Sequence, residues 1–307
     1  MKLGRTNLDV FPLCLGGNVF GWTADEPASR AVLDAYVAAG GNFLDTANSY
    51  LVEHGRSEAI IGRWLADRGD RDRIVLATKV GGGRGTVRNL RGETIESEAR
   101  ASLERLQTDR IDLYYAHFDD VETPLEETVR AFDQLVRAGM VHHIGASNYA
   151  PERLAQALEI QRGQGLAEFT VLQPHYNLVE RLFERTTLPV AEAWDLAVVP
   201  YFGLAKGFLT GKYRPEGEAI DSPRAESARA YLDGGGAAVL EALDEVAAAH
   251  DTSVATVALA WLRAQPRVVA PIASARTTEQ LEQILPSATL ELTPEDLDRL
   301  SAAAPVA

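Results

Sequence analysis

Residues 113–148 read LYYAHFDDVETPLEETVRAFDQLVRAGMVHHIGASN, and this stretch holds one complete strand–helix–strand unit. Leu113–His117 is a short apolar run ending in a histidine. Thr123-Pro-Leu-Glu126 follows, a capping-box pattern with proline at the first helical position. Leu125, Val129, Phe132 and Val136 then recur at helical spacing, and Gly139 ends the helix. Ile144–Asn148 is a second apolar run. Both runs are near-continuous rather than alternating, the pattern of parallel strands covered on both faces.

The same unit repeats along the chain. Further strands are expected at Leu13–Gly17, Asn42–Thr46, Ile74–Lys79, Val171–His175, Ala197–Phe202 and Val268–Ala273, which makes eight in all. Thr277-Thr-Glu-Gln280 and Thr293-Pro-Glu-Asp296 open later helices, and two more are expected at Ala237–His250 and Ser253–Ala264. Eight alternations without a break in composition predict an α/β fold of the (β/α)8 TIM-barrel type, one domain over residues 1–307. Leu3–Val10 is expected to form a short N-terminal hairpin closing the barrel bottom. The connection between strands seven and eight, Gly203 to about Gly236, is a long loop with little periodicity, as lids and binding loops are. A doubly wound dinucleotide fold would want G-x-G-x-x-G after the first strand. Neither Leu15-Gly-Gly-Asn-Val-Phe-Gly21 nor Gly81-Gly-Gly-Arg-Gly85 supplies it.

Composition sets limits on function. The chain has 307 residues, 46% of them hydrophobic and 24% charged, enough for a core without disulfide or metal staples. Its lone cysteine, Cys14, has no partner for an internal disulfide, and no Cys/His spacing suggests a metal site. With no signal-peptide pattern and no apolar run of about 18 residues, a cytoplasmic protein with no membrane partner is expected. The formal net charge of −14 argues against nucleic acid as a partner. Oligomeric state is not legible.

Chemistry in a barrel sits at the C-terminal ends of the strands. Strand two runs into Phe43-Leu-Asp45-Thr-Ala-Asn-Ser-Tyr50, strand three ends at Lys79 and strand four at His117. Successive strands are neighbours, so Asp45, Tyr50, Lys79 and His117 should meet at one rim. Alone, each reads as a cap, a solvated terminus, a structural histidine or packing. Together they make a proton-transfer site. A phenol of pKa near 10 is a poor catalyst at neutral pH, an adjacent ammonium should lower that value, and a carboxylate holds the ammonium.

The Asp45-x4-Tyr50, Lys79 and His117 arrangement resembles the catalytic tetrad of the aldo-keto reductase superfamily. Similar segments run through nearly the whole chain: Gly55-Arg-Ser-Glu-Ala-Ile-Ile-Gly62, Gly145-Ala-Ser147-Asn148, Gln173-Pro-His-Tyr-Asn177-Leu and Gly207-Phe-Leu-Thr-Gly-Lys-Tyr213. The resemblance implies reduction of an aldehyde or ketone carbonyl by hydride transfer from NADP(H), with NAD(H) as the alternative cofactor. Tyr50 would protonate the oxygen, Lys79 and Asp45 would tune it, and His117 would position a small-molecule carbonyl substrate.

The same resemblance assigns the cofactor wall. Tyr201 would stack on the nicotinamide, and Ser147, Asn148 and Gln173 would hold its carboxamide. Gly17, Asn18, Asp45, Phe202, Gly203, Leu204, Lys206 and Lys212 would follow the rest of the dinucleotide. Ser274, Arg276, Gln280 and Gln283 would meet the adenosine end, where Arg276 favours a 2′-phosphate and a helix start would welcome it. Trp22 and Phe118, with Tyr50 and His117, would line the substrate site. Phe202-Gly203 replaces a common serine–proline pair, which leaves the pyrophosphate without that hydroxyl. Ile284 stands in place of an asparagine at the adenine. A long C-terminal loop of the steroid-binding kind is not expected, which leaves the substrate mouth open. Two other readings remain: a cofactor-binding regulatory subunit serving a partner protein, and a barrel aldolase or isomerase using Lys79 as a Schiff-base nucleophile.

Overall fold

The computed structural model describes residues 1–50, 54–82, 88–215, 217 and 220–304. Residues 83–85 of the second glycine-rich stretch and residues 216, 218 and 219 of the long connection lie outside the described residues. Eight strands alternate with helices: β1 Cys14–Gly16, β2 Phe43–Asp45, β3 Val75–Val80, β4 Ile111–Ala116, β5 Val141–Ser147, β6 Phe169–Gln173, β7 Ala197–Val198 and β8 Ile272–Ala273. Helices α1 Glu26–Ala38, α2 Arg56–Arg68, α3 Gly92–Leu106, α4 Leu125–Arg137 and α5 Pro151–Gly163 follow the first five strands. Two short ones, α6 Leu182–Thr186 and α7 Leu188–Ala193, follow β6. Then come α8 Ala225–Tyr231, α9 Ala237–Ala249 and α10 Val254–Arg263 before β8, and α11 Thr278–Glu282 and α12 Pro294–Ala303 after it.

The strands pair in parallel in the order β7-β6-β5-β4-β3-β2-β1-β8. Closure between the ends is made by Val198 N–H to the Arg267 carbonyl and Val269 N–H to the Val198 carbonyl, each 2.9 Å. The fold is a (β/α)8 barrel. Strands seven and eight are shorter as regular ladders than the sequence suggests, because Pro200 and Pro271 have no N–H to give. The chain stays extended through them: Tyr201 N–H reaches the Pro174 carbonyl at 2.9 Å and Ile272 N–H the Pro200 carbonyl at 2.9 Å.

Lys2 and Asp9 pair in an antiparallel bridge, and the hairpin between them buries Leu3 and Val10 against Phe43, Val75, Leu113 and Ala197 inside the barrel. At the other end of the chain, Thr293 and Asp296 form a reciprocal capping box. The capping box read at Thr123 is not formed. Helix α4 starts one residue later, after Pro124, and the Thr123 hydroxyl donates to Asp120 Oδ2 at 2.6 Å instead. The nearer carboxylate outcompetes the helix for that hydroxyl. The long connection is more regular than its composition suggests. Its residues 225–231 form α8, whose Tyr231 ring lies 5.5 Å from that of Phe208.

Candidate active site

Alternate side chains of each strand point into the barrel. The inward column is Phe43 and Asp45 on β2, Val75, Ala77 and Lys79 on β3, Leu113 and Tyr115 on β4 with His117 just beyond, and Val171 and Gln173 on β6. The apolar members fill the interior. The last member of each column is polar, so the polar ends converge at the C-terminal rim.

Lys79 is 1% exposed and commits all three donors: to Asp45 Oδ2 at 2.6 Å, the Thr46 carbonyl at 2.7 Å and the Tyr50 hydroxyl at 3.0 Å. Tyr50 donates its proton to Asp45 Oδ2 at 3.1 Å, and Gln173 Nε2 donates to Asp45 Oδ1 at 2.9 Å. Such an ammonium has no free lone pair for attack on a carbonyl, which counts against the Schiff-base reading.

Burial pushes the Tyr50 phenol well above its ordinary value, and the charge and hydrogen bond of Asp45 push the same way. This reverses the expectation of a lowered value. The Lys79 charge is spent largely on Asp45, and a phenol that donates to a carboxylate is held in its neutral form. His117 is pushed down to about 3, by burial first and the Lys79 charge second, so its ring is neutral at physiological pH. That ring meets Tyr50 edge-on at 6.3 Å and lies 4.8 Å from Phe118.

Helix α2 braces the rim. Ser57 donates to the Gly17 carbonyl at 2.8 Å and accepts from Thr46 at 2.8 Å. Glu58, fully buried, accepts from Thr78 at 2.6 Å and from Arg105 of α3 at 2.7 Å. Three strand ends are thereby tied to one helix.

A cavity of about 680 Å³ opens above the cluster. Asp45, Tyr50, Lys79, His117, Trp22 and Phe118 line it, as do Asn18, Ser147, Asn148, Gln173, Tyr201, Phe202, Gly203, Leu204, Lys206, Lys212, Ser274, Arg276, Gln280 and Gln283. Gly17 does not. Its N–H donates to the Asp45 carbonyl and its own carbonyl accepts from Ser57, while Gly16 faces the cavity instead.

A model of the aldo/keto reductase family matches residues 12–305. The chain belongs to this family. An uncharacterized oxidoreductase of Bacillus subtilis (strain 168), YrpG, is 36% identical, covering 97% of this chain and 94% of its own length. Norsolorinic acid reductase stcV of Emericella nidulans is 36% identical over 94% of this chain and 76% of its own length. Aldo-keto reductase ausK of Aspergillus calidoustus is 34% identical over 95% and 78%. As an aldo/keto reductase the chain is an oxidoreductase acting on carbonyl and alcohol groups of small molecules, in a family that uses nicotinamide cofactors. No helix among the described residues is long and apolar enough to cross a membrane.

On one wall of this reductase's cavity, Asn148 is locked in place. Its Nδ2 donates to the His117 carbonyl at 2.8 Å and to Ser147 Oγ at 2.9 Å, and its Oδ1 accepts from the Tyr201 hydroxyl at 2.7 Å. The lock suits the unusual backbone of Asn148, φ +56°. His175 stacks on one face of Tyr201 at 5.2 Å. The chain then turns through Phe202, Ala205, Lys206 and Gly207, all with positive φ, and leads Lys206 and Lys212 to the wall.

At the far end, Ser274 donates to Asn18 Oδ1 at 2.7 Å. Helix α11 is a single short turn capped by Thr277, and the Arg276 N–H is taken by Gln280 Oε1 at 3.0 Å. The helix-terminus argument for a phosphate therefore weakens, and side-chain charge carries it. Lys212 is held below its ordinary value by burial and then by the nearby charges of Arg276 and Arg224. Ser222 and Arg224 also line the cavity, with the Arg224 guanidinium 5.1 Å above the Trp22 ring. Both were missed because they lie in the aperiodic connection, which carries no sequence signal. Ser49 and His175 were missed although each sits inside a segment that resembles the family's.

Proposed function

We propose that the chain reduces aldehydes or ketones to alcohols with NADPH, reversibly, and that Tyr50 supplies the proton. The observation that carries this reading is the buried Lys79–Asp45 pair in hydrogen-bond contact with the Tyr50 hydroxyl at the cavity floor. The donor set fits a dinucleotide phosphate. Five lining side chains are Lys or Arg, and the only carboxylate among the described lining residues, Asp45, is already engaged. Three of those cations, Lys212, Arg224 and Arg276, crowd one end, an arrangement that an anion would relieve. When bound, the reduced nicotinamide supplies the hydride.

The protein's part is positioning and proton supply. Tyr50 turns its proton from Asp45 to the carbonyl oxygen, Lys79 steadies the oxygen that has lost it, and Asp45 keeps the ammonium in place. Asn148, preset by Tyr201 and Ser147, retains a lone pair on Oδ1 for a carboxamide N–H.

Tyr50→Phe tests the assignment, because it removes the hydroxyl and keeps the ring. NADPH affinity should stay near wild type while turnover of a simple aldehyde falls by about 10²–10⁴-fold, the span of a lost general acid. Lys79→Met should also cripple turnover, and the double variant should be little worse than either single one. A Tyr50→Phe enzyme with normal turnover would give the proton to another donor.

A further inference from the structure

Past Thr46 the backbone ties between β2 and β3 fade. Thr46 N–H reaches the Ala77 carbonyl at 2.9 Å, whereas Asn48 N–H comes only within 3.5 Å of the Lys79 carbonyl, too long to hold firmly. Side chains take over there, just before Tyr50. Asn48 is 3% exposed, and its Nδ2 donates to Glu98 Oε2 of α3 at 2.9 Å. The same oxygen accepts from His54 Nε2 at 3.1 Å, on the far side of Tyr50, and lies 3.6 Å from the Arg105 guanidinium. Arg105 in turn bonds Glu58, and Glu58 accepts from Thr78, the neighbour of Lys79. A chain of polar contacts thus reaches both halves of the Tyr50–Lys79 contact. Burial alone would raise the Glu98 carboxyl. The hydrogen bonds from Asn48 and then His54 outweigh it and hold the group below its ordinary value, so Glu98 grips as a carboxylate. Stability is a poor reason for this grip. Asn48 Oδ1 is buried and meets no partner among the described residues, a cost that a leucine of similar shape would not carry.

We infer that Glu98 is a positioning residue: from outside the barrel it holds Asn48 and His54, and so keeps the Tyr50 hydroxyl on Lys79 and Asp45. The inference rests on the reading of Tyr50 as a reductase's acid. Tyr50 lies on a connection rather than a strand, so the sheet does not set the 3.0 Å and 3.1 Å contacts of its hydroxyl. A rigid element must set them, and α3 touches that connection on both sides of Tyr50. Neither Glu98 nor Asn48 is among the described residues that line the cavity. Glu98 therefore acts through the backbone that carries Tyr50, without touching cofactor or carbonyl.

Glu98→Ala should lower kcat for benzaldehyde by about 10–100-fold, the reach of a misplaced reacting group, with KM and the NADPH dissociation constant near wild type. Glu98→Gln keeps an oxygen for Asn48 and should recover most of the turnover. Asn48→Leu should slow turnover as Glu98→Ala does, while its urea midpoint holds or rises because the buried orphan is gone. The double variant should be little worse than either single one. Unchanged kcat in both single variants overturns the inference. So does a loss of turnover that tracks a loss of NADPH affinity and urea midpoint, the mark of a structural prop. A second readout needs no turnover. In enzyme carrying carbon-13-labelled tyrosine, the Tyr50 Cζ resonance, assigned by its absence in Tyr50→Phe, should move in Glu98→Ala and return in Glu98→Gln. A resonance that stays in place overturns the inference. If the wild type consumes no NADPH with benzaldehyde or propanal, the reductase reading has failed, and the resonance still decides whether Glu98 sets Tyr50.

Discussion

Tyr50 donates a hydrogen bond to a carboxylate that already holds an ammonium and an amide. Its pKa is raised above the ordinary 10, so the phenol stays protonated over the working range. The sign of the pH effect follows. Carbonyl reduction, which needs the protonated phenol, should be flat through neutrality and decline only above pH 10. Alcohol oxidation, which needs the phenolate, should rise about tenfold per pH unit over the same range. Turnover of an alcohol between pH 6 and 10 checks this, and a plateau near pH 7 would contradict a raised value. Arg276 belongs to the same scale. With α11 too short to hold a phosphate by itself, Arg276→Ala should weaken NADPH binding by about 1.5–3 kcal/mol and leave NADH nearly unchanged, as calorimetry would show. Equal losses for both cofactors would make Arg276 a prop for the loop. The four rim residues were legible because each ends, or closely follows, an apolar run. The direction of the Tyr50 shift was not, because it depends on which of two neighbouring charges the phenol touches.

Helix α2 holds the rim only because it can lie close to α3. A Cβ on Gly62 would stand 2.1 Å from the Arg105 carbonyl oxygen, a backbone atom with no room to yield. Gly62→Ala should therefore cost about 1–3 kcal/mol in urea unfolding, and it should lower turnover as Ser57 and Glu58 shift. Gly163→Ala is the control. Nothing lies within 4 Å of a Cβ there, and the position ends α5, so the change should be neutral or stabilise by up to about 1 kcal/mol. If both variants lost stability alike, close helix contact would not be the reason for Gly62. At this scale the sequence was read well where a signal is local, as at Thr293 with Asp296. It misled at Thr123, whose hydroxyl is claimed by Asp120, itself accepting the Leu90 N–H from a distant loop.

Across the whole molecule, a chain of net charge −14 gathers cations around one cavity. Part of that wall is the connection between β7 and β8. Helix α8 in it is tied to the barrel by Tyr231, which donates to Glu180 at 2.9 Å, and Arg214 secures the preceding turn to Asp244 at 2.7 Å. If Arg224 and Lys212 close on the cofactor, amides of residues 225–231 should exchange more slowly with NADPH bound than without it. Equal protection in both states would remove the reason for treating the connection as a lid.

The sequence by itself determined the alternation of strands and helices, the hairpin, and the polar residue that ends each inward column. Those features are periodic or adjacent along the chain, and local backbone physics responds to them directly. Only the tertiary structure decided how the barrel closes across two prolines, that Gly16 rather than Gly17 meets the cavity, and that Ser222 and Arg224 enter its wall. It also decided that Tyr50 holds its proton tightly and that His117 stays neutral. Burial and the field of charges set those last two properties, and both are sums over neighbours that lie far apart in the chain and meet only when it folds.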